Sequence, residues 1–281
     1  MAQMFSPSSV SLLPVCPDGV LMAIVPQKFS PSSVSLCIHN GQVIGNQRLV
    51  SYRIREEDGS YEYDKHIETA NASMIIRFSS DGIDTEFTHF MPVSYQEQGL
   101  IRGIEDVRVY SHPTRGLLFL GTVVRGKVVQ VFGNYPSMTV LREMVSPYGR
   151  SCEKNWVFFD DDKLCYCLSP FTLLNYLGDV VVVKPNGLGD KWRGSTNYIQ
   201  HGDYKYAIVH LVTKNREYKH AFVRVDCEFN VQVSSLFTFE QQKIEYCLGF
   251  CEVDNNIIIA YSVWDRCSKL MRITWDDITF S

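Results

Sequence analysis

Gly103-Ile104-Glu105-Asp106-Val107-Arg108 decides the fold: it opens a strand, Val107 to Tyr110, which turns at Ser111-His112-Pro113-Thr114-Arg115-Gly116 into a second strand, Leu117 to Val124. Two carboxylates and a guanidinium stand at the mouth of this hairpin. Strand side chains alternate between faces, so Asp106 and Arg108 are expected on one face and Glu105 on the other. A carboxylate beside an arginine stays ionised and oriented. Taken alone, this is an ordinary strand-end ion pair. Its weight comes from recurrence.

Upstream, Val34 to Ile38 turns at His39-Asn40-Gly41 into Gln42 to Tyr52. Downstream, Glu153-Lys154-Asn155-Trp156 leads into Val157-Phe158-Phe159, a turn at Asp160-Asp161-Asp162-Lys163 and a return over Leu164 to Leu168. Next, Arg193-Gly194-Ser195-Thr196 leads through Asn197 to Ile199 and the turn His201-Gly202-Asp203 to Tyr206 to Leu211. Last, Ile244-Glu245-Tyr246 leads through Cys247 to Val253 and Asp254-Asn255-Asn256 to Ile257 to Val263. Each unit is a polar signature, a strand, a tight turn and an apolar strand. The units start about 40 to 70 residues apart, near the length of a four-stranded propeller blade.

The expectation is therefore an all-β chain folded as a five-bladed β-propeller, a single catalytic domain over residues 1–281. Innermost strands line the central channel of a propeller, so the polar signatures should converge at one end of it. A β-sandwich or two small β-domains are the competing architectures. Helical periodicity is nearly absent; only Tyr135 to Val145 and Pro170 to Leu177 could hold a short helix. Phe5 to Leu12 recurs verbatim as Phe29 to Leu36. The second copy leads into the first unit. The first copy, within residues 1–28, is either an edge strand or partly disordered.

Composition narrows the function. The 281 residues carry a net charge of −4, which argues against a nucleic-acid partner. No apolar run approaches the roughly 18 residues of a membrane span. The opening Met1-Ala2-Gln3-Met4-Phe5 lacks a signal-peptide layout. Nine cysteines, without a Cys-x-x-Cys pair, read as free thiols in a cytoplasmic protein. Histidines show no zinc spacing, and Asp160 to Asp162 reads as a hairpin turn rather than a metal site, so neither a metal nor another cofactor is expected. There is no nucleophile elbow and no phosphate-cradling glycine loop.

Gly103 to Arg108 resembles the Glu-Asp-Pro-Arg motif of glycoside hydrolase family 130, with Val107 in place of the proline. Glu153 to Trp156 followed by Ser169-Pro170, together with Arg193 to Thr196, His210, Tyr218, His220 and Glu245-Tyr246, is similarly placed in order and spacing. The resemblance runs from about Ser33 to Asp265 and implies a five-bladed propeller acting on a glycosidic bond. Its relatives include mannoside phosphorylases, hydrolases and propeller glycosyltransferases. It places the proton-transfer role on Asp106, and phosphate binding on Arg193, His210, Tyr218 and His220, with Lys154 as a further candidate.

The chemistry suits those residue types. A single carboxylate can exchange the proton of an inverting glycosyl transfer. Arginine grips phosphate through parallel hydrogen bonds. Glu105 is the second catalytic candidate, and Arg108 orients Asp106. Glu153, Asn155 and Glu245 could accept sugar hydroxyls or bond blade to blade; Trp156 could stack on a sugar or lie buried. Asp265 could close the ring of carboxylates. The leading functional expectation is a metal-independent glycosyltransferase taking an activated sugar phosphate, such as a nucleotide sugar, and a glycan acceptor. The alternatives are a family 130-type phosphorylase or hydrolase, with Glu153 or Glu245 activating water, and a non-catalytic glycan-binding propeller.

Overall fold

The computed structural model describes residues 3–4, 13–14, 28–79, 82–93 and 99–280. Its sheets form five blades. Blade one pairs Ser30–His39, Gln42–Val50, Ile67–Ser79 and Gly82–Met91; blade two pairs Glu105–His112, Gly116–Arg125, Lys127–Asn134 and Thr139–Glu143. Blade three pairs Val157–Phe158, Lys163–Leu168, Phe171–Asn175 and Val180–Lys184. Blade four is built on Arg193–Gly194 with Ile199–His201, then Tyr204–Val212 and Tyr218–Val225, then Val231–Val233 and Phe237–Thr238, and its outer edge is the N-terminal strand Gln3–Met4, parallel to Phe237–Thr238. Blade five pairs Glu245–Val253, Asn256–Val263 and Cys267–Ile273, and its outer edge is the N-terminal strand Leu13–Pro14.

The alternation of apolar residues explains the closed ring. Phe119 packs with Val107, Val109 and Ile44 between blades one and two, whereas its neighbours Leu118 and Leu120 pack with Trp156 and Phe158 between blades two and three. Ile257 and Ile259 face blade four, and Ile258 and Ala260 face blade one. Blade three meets blade four through Phe171, Leu173, Val209 and Val223. Gly116–Arg125 and Asn256–Val263 thus bury both faces, which is why each reads as a nearly continuous apolar run. A sandwich would leave one face polar, and that alternative falls.

Both expected helices are strands: Thr139–Glu143 and Phe171–Asn175. Phe171 to Leu174 is buried on both faces, and such a run carries no period that separates helix from strand. Thr139 to Glu143 is the solvent-facing outer edge of its blade. Among the described residues the helical content is one 3-10 turn, Trp275–Asp277. The first copy of the duplicated octapeptide, Phe5 to Leu12, lies outside the described residues; the flanking Gln3–Met4 and Leu13–Pro14 are edge strands. The second copy forms most of the innermost strand of blade one.

Blade one passes into blade two at Gly103, whose φ is +93° and whose missing Cβ would lie 2.0 Å from the Thr69 carbonyl oxygen. No side chain fits there, so the descent into the Glu105 strand depends on this glycine. Gly103→Ala is expected to cost at least about 1–3 kcal/mol of stability, read as a lowered midpoint in urea at unchanged slope.

Candidate active site

At one end of the propeller the inner strands open into a funnel of about 440 Å³, lined by Arg48, Tyr52, Tyr61, Glu105, Asp106, Lys154, Asn155, Arg193, His210, Arg216, Tyr218, Tyr246 and Asp265, with three aliphatic side chains. The polar signatures of blades two, three and four therefore converge as expected.

Asp106 adopts a left-handed backbone (φ 49°), and the register against Gly116–Arg125 shifts between Glu105 and Arg108. This bulge breaks the expected alternation. Glu105 and Asp106 both turn to Arg48, a buried arginine of blade one, which donates to Glu105 Oε1 (2.7 Å) and Asp106 Oδ1 (2.9 Å). The partner of the Asp106 carboxylate is thus Arg48 rather than Arg108. Arg108 is fully buried and instead donates to three carbonyls: Ser195 (2.8 Å), Gly194 (3.4 Å) and the Asp106 backbone (3.0 Å). It also donates to the Tyr246 hydroxyl (2.9 Å), which lies 3.3 Å from both Asp106 Oδ2 and Asn155 Oδ1. Arg108 orients Asp106 through its main chain and does not line the funnel. Val107, in the place of the motif's proline, is buried in the seam with blade one.

Arg48 also donates to the Tyr52 hydroxyl (3.1 Å), and Tyr52 donates to Asp265 Oδ2 (2.8 Å). Asp265 (φ 51°) and Asn155 (φ 65°) share the left-handed conformation of Asp106. With Arg216 (φ 61°), four non-glycine funnel residues are held in this sparsely populated region, which marks a site whose geometry the surrounding packing imposes. Burial raises the Glu105 carboxyl above its ordinary range, and Arg48 opposes that rise. Lys154 and Arg193, also in the funnel lining, are exposed and have no carboxylate partner among the described residues. His210 Nδ1 sits 2.7 Å from Ser195 Oγ; burial, then His220 and the nearby cations, push its pKa far below the usual value, so it is a neutral imidazole. The Tyr218 hydroxyl is pushed up to about 12, chiefly by burial. Gly194 serves close packing rather than a turn: a Cβ there would lie 2.5 Å from the Asn155 carbonyl oxygen.

Sequence reasoning missed Arg48, Tyr52, Tyr61 and Arg216. Arg48 sits mid-strand in a blade without a signature. Tyr61 belongs to a two-stranded hairpin, Arg53–Ile54 with Tyr61–Glu62, that overhangs the funnel, and Arg216 clasps it by donating to the Gly59 carbonyl (2.6 Å). Among the described residues no group of three His, Cys, Asp or Glu side chains is placed to hold a metal ion. Asp160 caps its own hairpin turn by accepting from the Asp162 amide (2.9 Å). No described helix is long and apolar enough to cross a membrane.

No protein-family model matches the chain, and no curated protein sequence matches it. Solved structures do. The β-1,2-mannobiose phosphorylase of Listeria innocua, in complex with β-1,2-mannobiose, is similar with a TM-score of 0.63 at 12% identity, covering 90% of this chain and 93% of that one. A mannose phosphorylase from Leishmania mexicana in complex with phosphate gives 0.57 at 12% identity, covering 92% and 89%. A structure from the work on family 130 mannoside phosphorylases and the hydrolases among them that target β-1,2-mannosidic linkages in Candida mannan gives 0.61 at 12% identity, covering 90% and 86%. The chain has the five-bladed propeller of these proteins.

Four expected site residues lie elsewhere. Glu245 is fully buried, and its carboxylate accepts from the amides of Phe239 (2.6 Å), Glu240 (2.8 Å) and Gln242 (2.6 Å), which fixes a loop and leaves nothing for a sugar. Glu153 accepts from Ser146, Tyr166 (3.0 Å) and Trp156 Nε1 (3.2 Å), and Trp156 is fully buried between blades two and three. Neither glutamate is free to activate water in the funnel. His220 is also fully buried, against Phe237 and Phe239, and neither ring nitrogen has a hydrogen-bond partner among the described residues.

Burial, with Lys219 nearby, lowers the His220 pKa from its ordinary 6.5 to about 3. Between those values the unfolded chain binds a proton that the folded chain refuses, so stability is full above the unfolded pKa and drains as pH falls. The slope from this group approaches about 1.4 kcal/mol per pH unit. His220→Leu removes two unsatisfied nitrogens at similar volume. The expected outcome is a chain as stable as the parent at pH 7 whose unfolding midpoint falls less steeply between pH 6 and pH 4; parallel profiles would show that His220 is protonated in the fold.

Proposed function

We propose that the chain is a cytoplasmic, metal-independent glycoside phosphorylase of the family 130 kind, acting on a mannoside-type linkage. Inorganic phosphate attacks the anomeric carbon with inversion, and Asp106 supplies the proton to the departing oxygen. The observation that carries the reading is one funnel holding Asp106, clamped by Arg48 and Arg108, together with Lys154 and Arg193, which no carboxylate neutralises among the described residues. Glu105, Asp106 and Asp265 would repel a phosphate, so the free cations must offset them to admit it. Arg193 offers the guanidinium fork and Lys154 the point charge. Neutral His210 and the Tyr218 hydroxyl add hydrogen bonds without further charge. Glu105 holds Arg48 in place, and Asn155 meets sugar hydroxyls.

The nucleotide-sugar transferase suggested by sequence yields to its alternative, because the similar solved structures are phosphorylases and hydrolases. Hydrolysis is the second reading, and Asp265 favours it: with Glu153 and Glu245 engaged elsewhere and Glu105 paired with Arg48, it is the remaining funnel carboxylate that could activate water.

The test supplies β-1,2-mannobiose with and without inorganic phosphate and follows mannose 1-phosphate and free mannose. Phosphate-dependent release of mannose 1-phosphate is expected. Asp106→Asn should lower kcat by about 10²–10⁴-fold. Arg193→Ala should raise the KM for phosphate by about ten-fold or more, the loss of one charge-assisted hydrogen bond. Phosphate-independent release of mannose, abolished by Asp265→Asn, would replace the phosphorylase with the hydrolase. Full activity in Asp106→Asn would overturn both.

A further inference from the structure

A second cavity of about 340 Å³ adjoins the funnel and shares Lys154, Asn155 and Arg193 with it. Its other walls come from the loop before blade three, with Tyr148 and Arg150, from Tyr166, and from Asp190 and Trp192 before blade four. Resting on the function proposed above, we infer that this cavity holds a further sugar ring of a glycan whose reacting linkage lies in the funnel, so that the preferred substrate has three or more units.

Sugar rings are bound by aromatic faces that meet their C–H surfaces and by planar polar groups that bond their hydroxyls in the ring plane. Both are present. Tyr148 is 52% exposed, Tyr166 is buried, and Trp156 behind them is fully buried. Ring centres lie 5.5 Å apart from Tyr148 to Tyr166 and 5.2 Å apart from Tyr166 to Trp156, so the exposed ring stands on a packed aromatic stack. The Arg150 guanidinium lies 5.9 Å from the Tyr148 ring centre and 5.6 Å from that of Tyr166. Cation–π contact holds it in one orientation, and no carboxylate takes up its donors among the described residues. Asp190 supplies an acceptor in the opposite wall.

The loop is pre-formed by the network that withdrew Glu153 from the funnel. Ser146 Oγ donates to Glu153 and accepts from the Arg150 amide (2.8 Å), while Glu153 accepts from Tyr166 and Trp156. One buried carboxylate thereby fixes the loop that carries Tyr148 and Arg150 and the aromatic stack beneath it. Glu153 is a positioning residue for this wall. The cavity falls within the roughly 300–1,000 Å³ of small-molecule sites, and its shared wall with the funnel is where a chain leaving the reacting sugar would pass.

The experiment measures binding, by calorimetry, of β-1,2-mannobiose and β-1,2-mannotriose to the full chain and to Tyr148→Ala, Tyr148→Phe and Arg150→Ala. These side chains lie outside the funnel lining, and Tyr148 is half exposed, so the fold should tolerate their loss. Mannotriose is expected to bind about ten-fold more tightly than mannobiose, one stacked ring's worth of affinity. Tyr148→Ala and Arg150→Ala should erase that difference with mannobiose unchanged, and Tyr148→Phe should retain it. Equal affinities for the two glycans in the parent chain, or a preference that survives Tyr148→Ala and Arg150→Ala, overturns the subsite alone. No binding of either glycan overturns the funnel reading and the subsite with it.

Discussion

The guanidinium of Arg108 holds the centre of this molecule together. It is a buried cation with no carboxylate partner among the described residues, satisfied by three carbonyl oxygens and a tyrosine hydroxyl drawn from blades two, four and five. Such a group is tolerable only when its donors are occupied, and the carbonyls it serves would be equally costly to bury unbonded. The dependence is mutual. The start of blade four can approach the axis because Arg108 receives the Gly194 and Ser195 carbonyls, and Arg108 can lie there because they approach. Asn197 reinforces the same crossing by donating to the Val109 carbonyl (2.7 Å) and accepting from the Phe158 amide (3.1 Å). The channel is thereby closed beneath the funnel, and the site has a rigid floor.

That floor explains how Asp106 is presented. A regular strand would have turned Asp106 and Glu105 to opposite faces. The left-handed residue and its bulge send both carboxylates toward Arg48 while Arg108 keeps hold of the Asp106 carbonyl. Two arginines therefore divide the work: one fixes the side chain and the other the backbone. Tyr246 links the two, because it accepts from Arg108 and lies against the Asp106 carboxylate. A carboxylate pinned at side chain, main chain and neighbouring hydroxyl has little freedom to lose, which suits the proton-transfer role proposed for Asp106.

Much of this was legible in the sequence, for identifiable reasons. The hairpins announced themselves because His39-Asn40-Gly41, Asp160 to Lys163 and Asp254 to Asn256 are turn chemistry between apolar runs. Five such units pointed to a ring, and convergence of their signatures followed from the ring. What stayed hidden was of three kinds. Backbone strain at Asp106 leaves no mark in residue type, so the wrong arginine was paired with it. Arg48 and Tyr52 lie in a blade with no polar signature and became site residues only through contacts across the ring, Arg48 with Glu105 and Asp106 of blade two and Tyr52 with Asp265 at the end of blade five. Glu245, Glu153 and His220 matched the pattern in type and spacing, yet a strand's start can send its side chain into a loop or seam as readily as into the channel; that choice rests on amides and rings distant in sequence, such as the Phe239 amide and the Phe237 ring.

Sorted by blade, the funnel is electrically lopsided. Its carboxylates, Glu105, Asp106 and Asp265, come from blade two and the end of blade five, with Arg48 of blade one between them and already engaged. Its cations without a carboxylate partner among the described residues, Lys154, Arg193 and Arg216, come from blades three and four. An inverting displacement needs its proton donor on the leaving-group side of the anomeric carbon and its anionic nucleophile on the other. On the proposed reading, a sugar lying between the two arcs would meet that requirement. The polarity also sets direction, because an anion entering from the acidic arc meets repulsion and one entering over blades three and four does not. Gly194 maintains the cationic arc: by letting the openings of blades three and four touch at the Asn155 carbonyl, it keeps Lys154 and Arg193 side by side, at the boundary where funnel and second cavity meet.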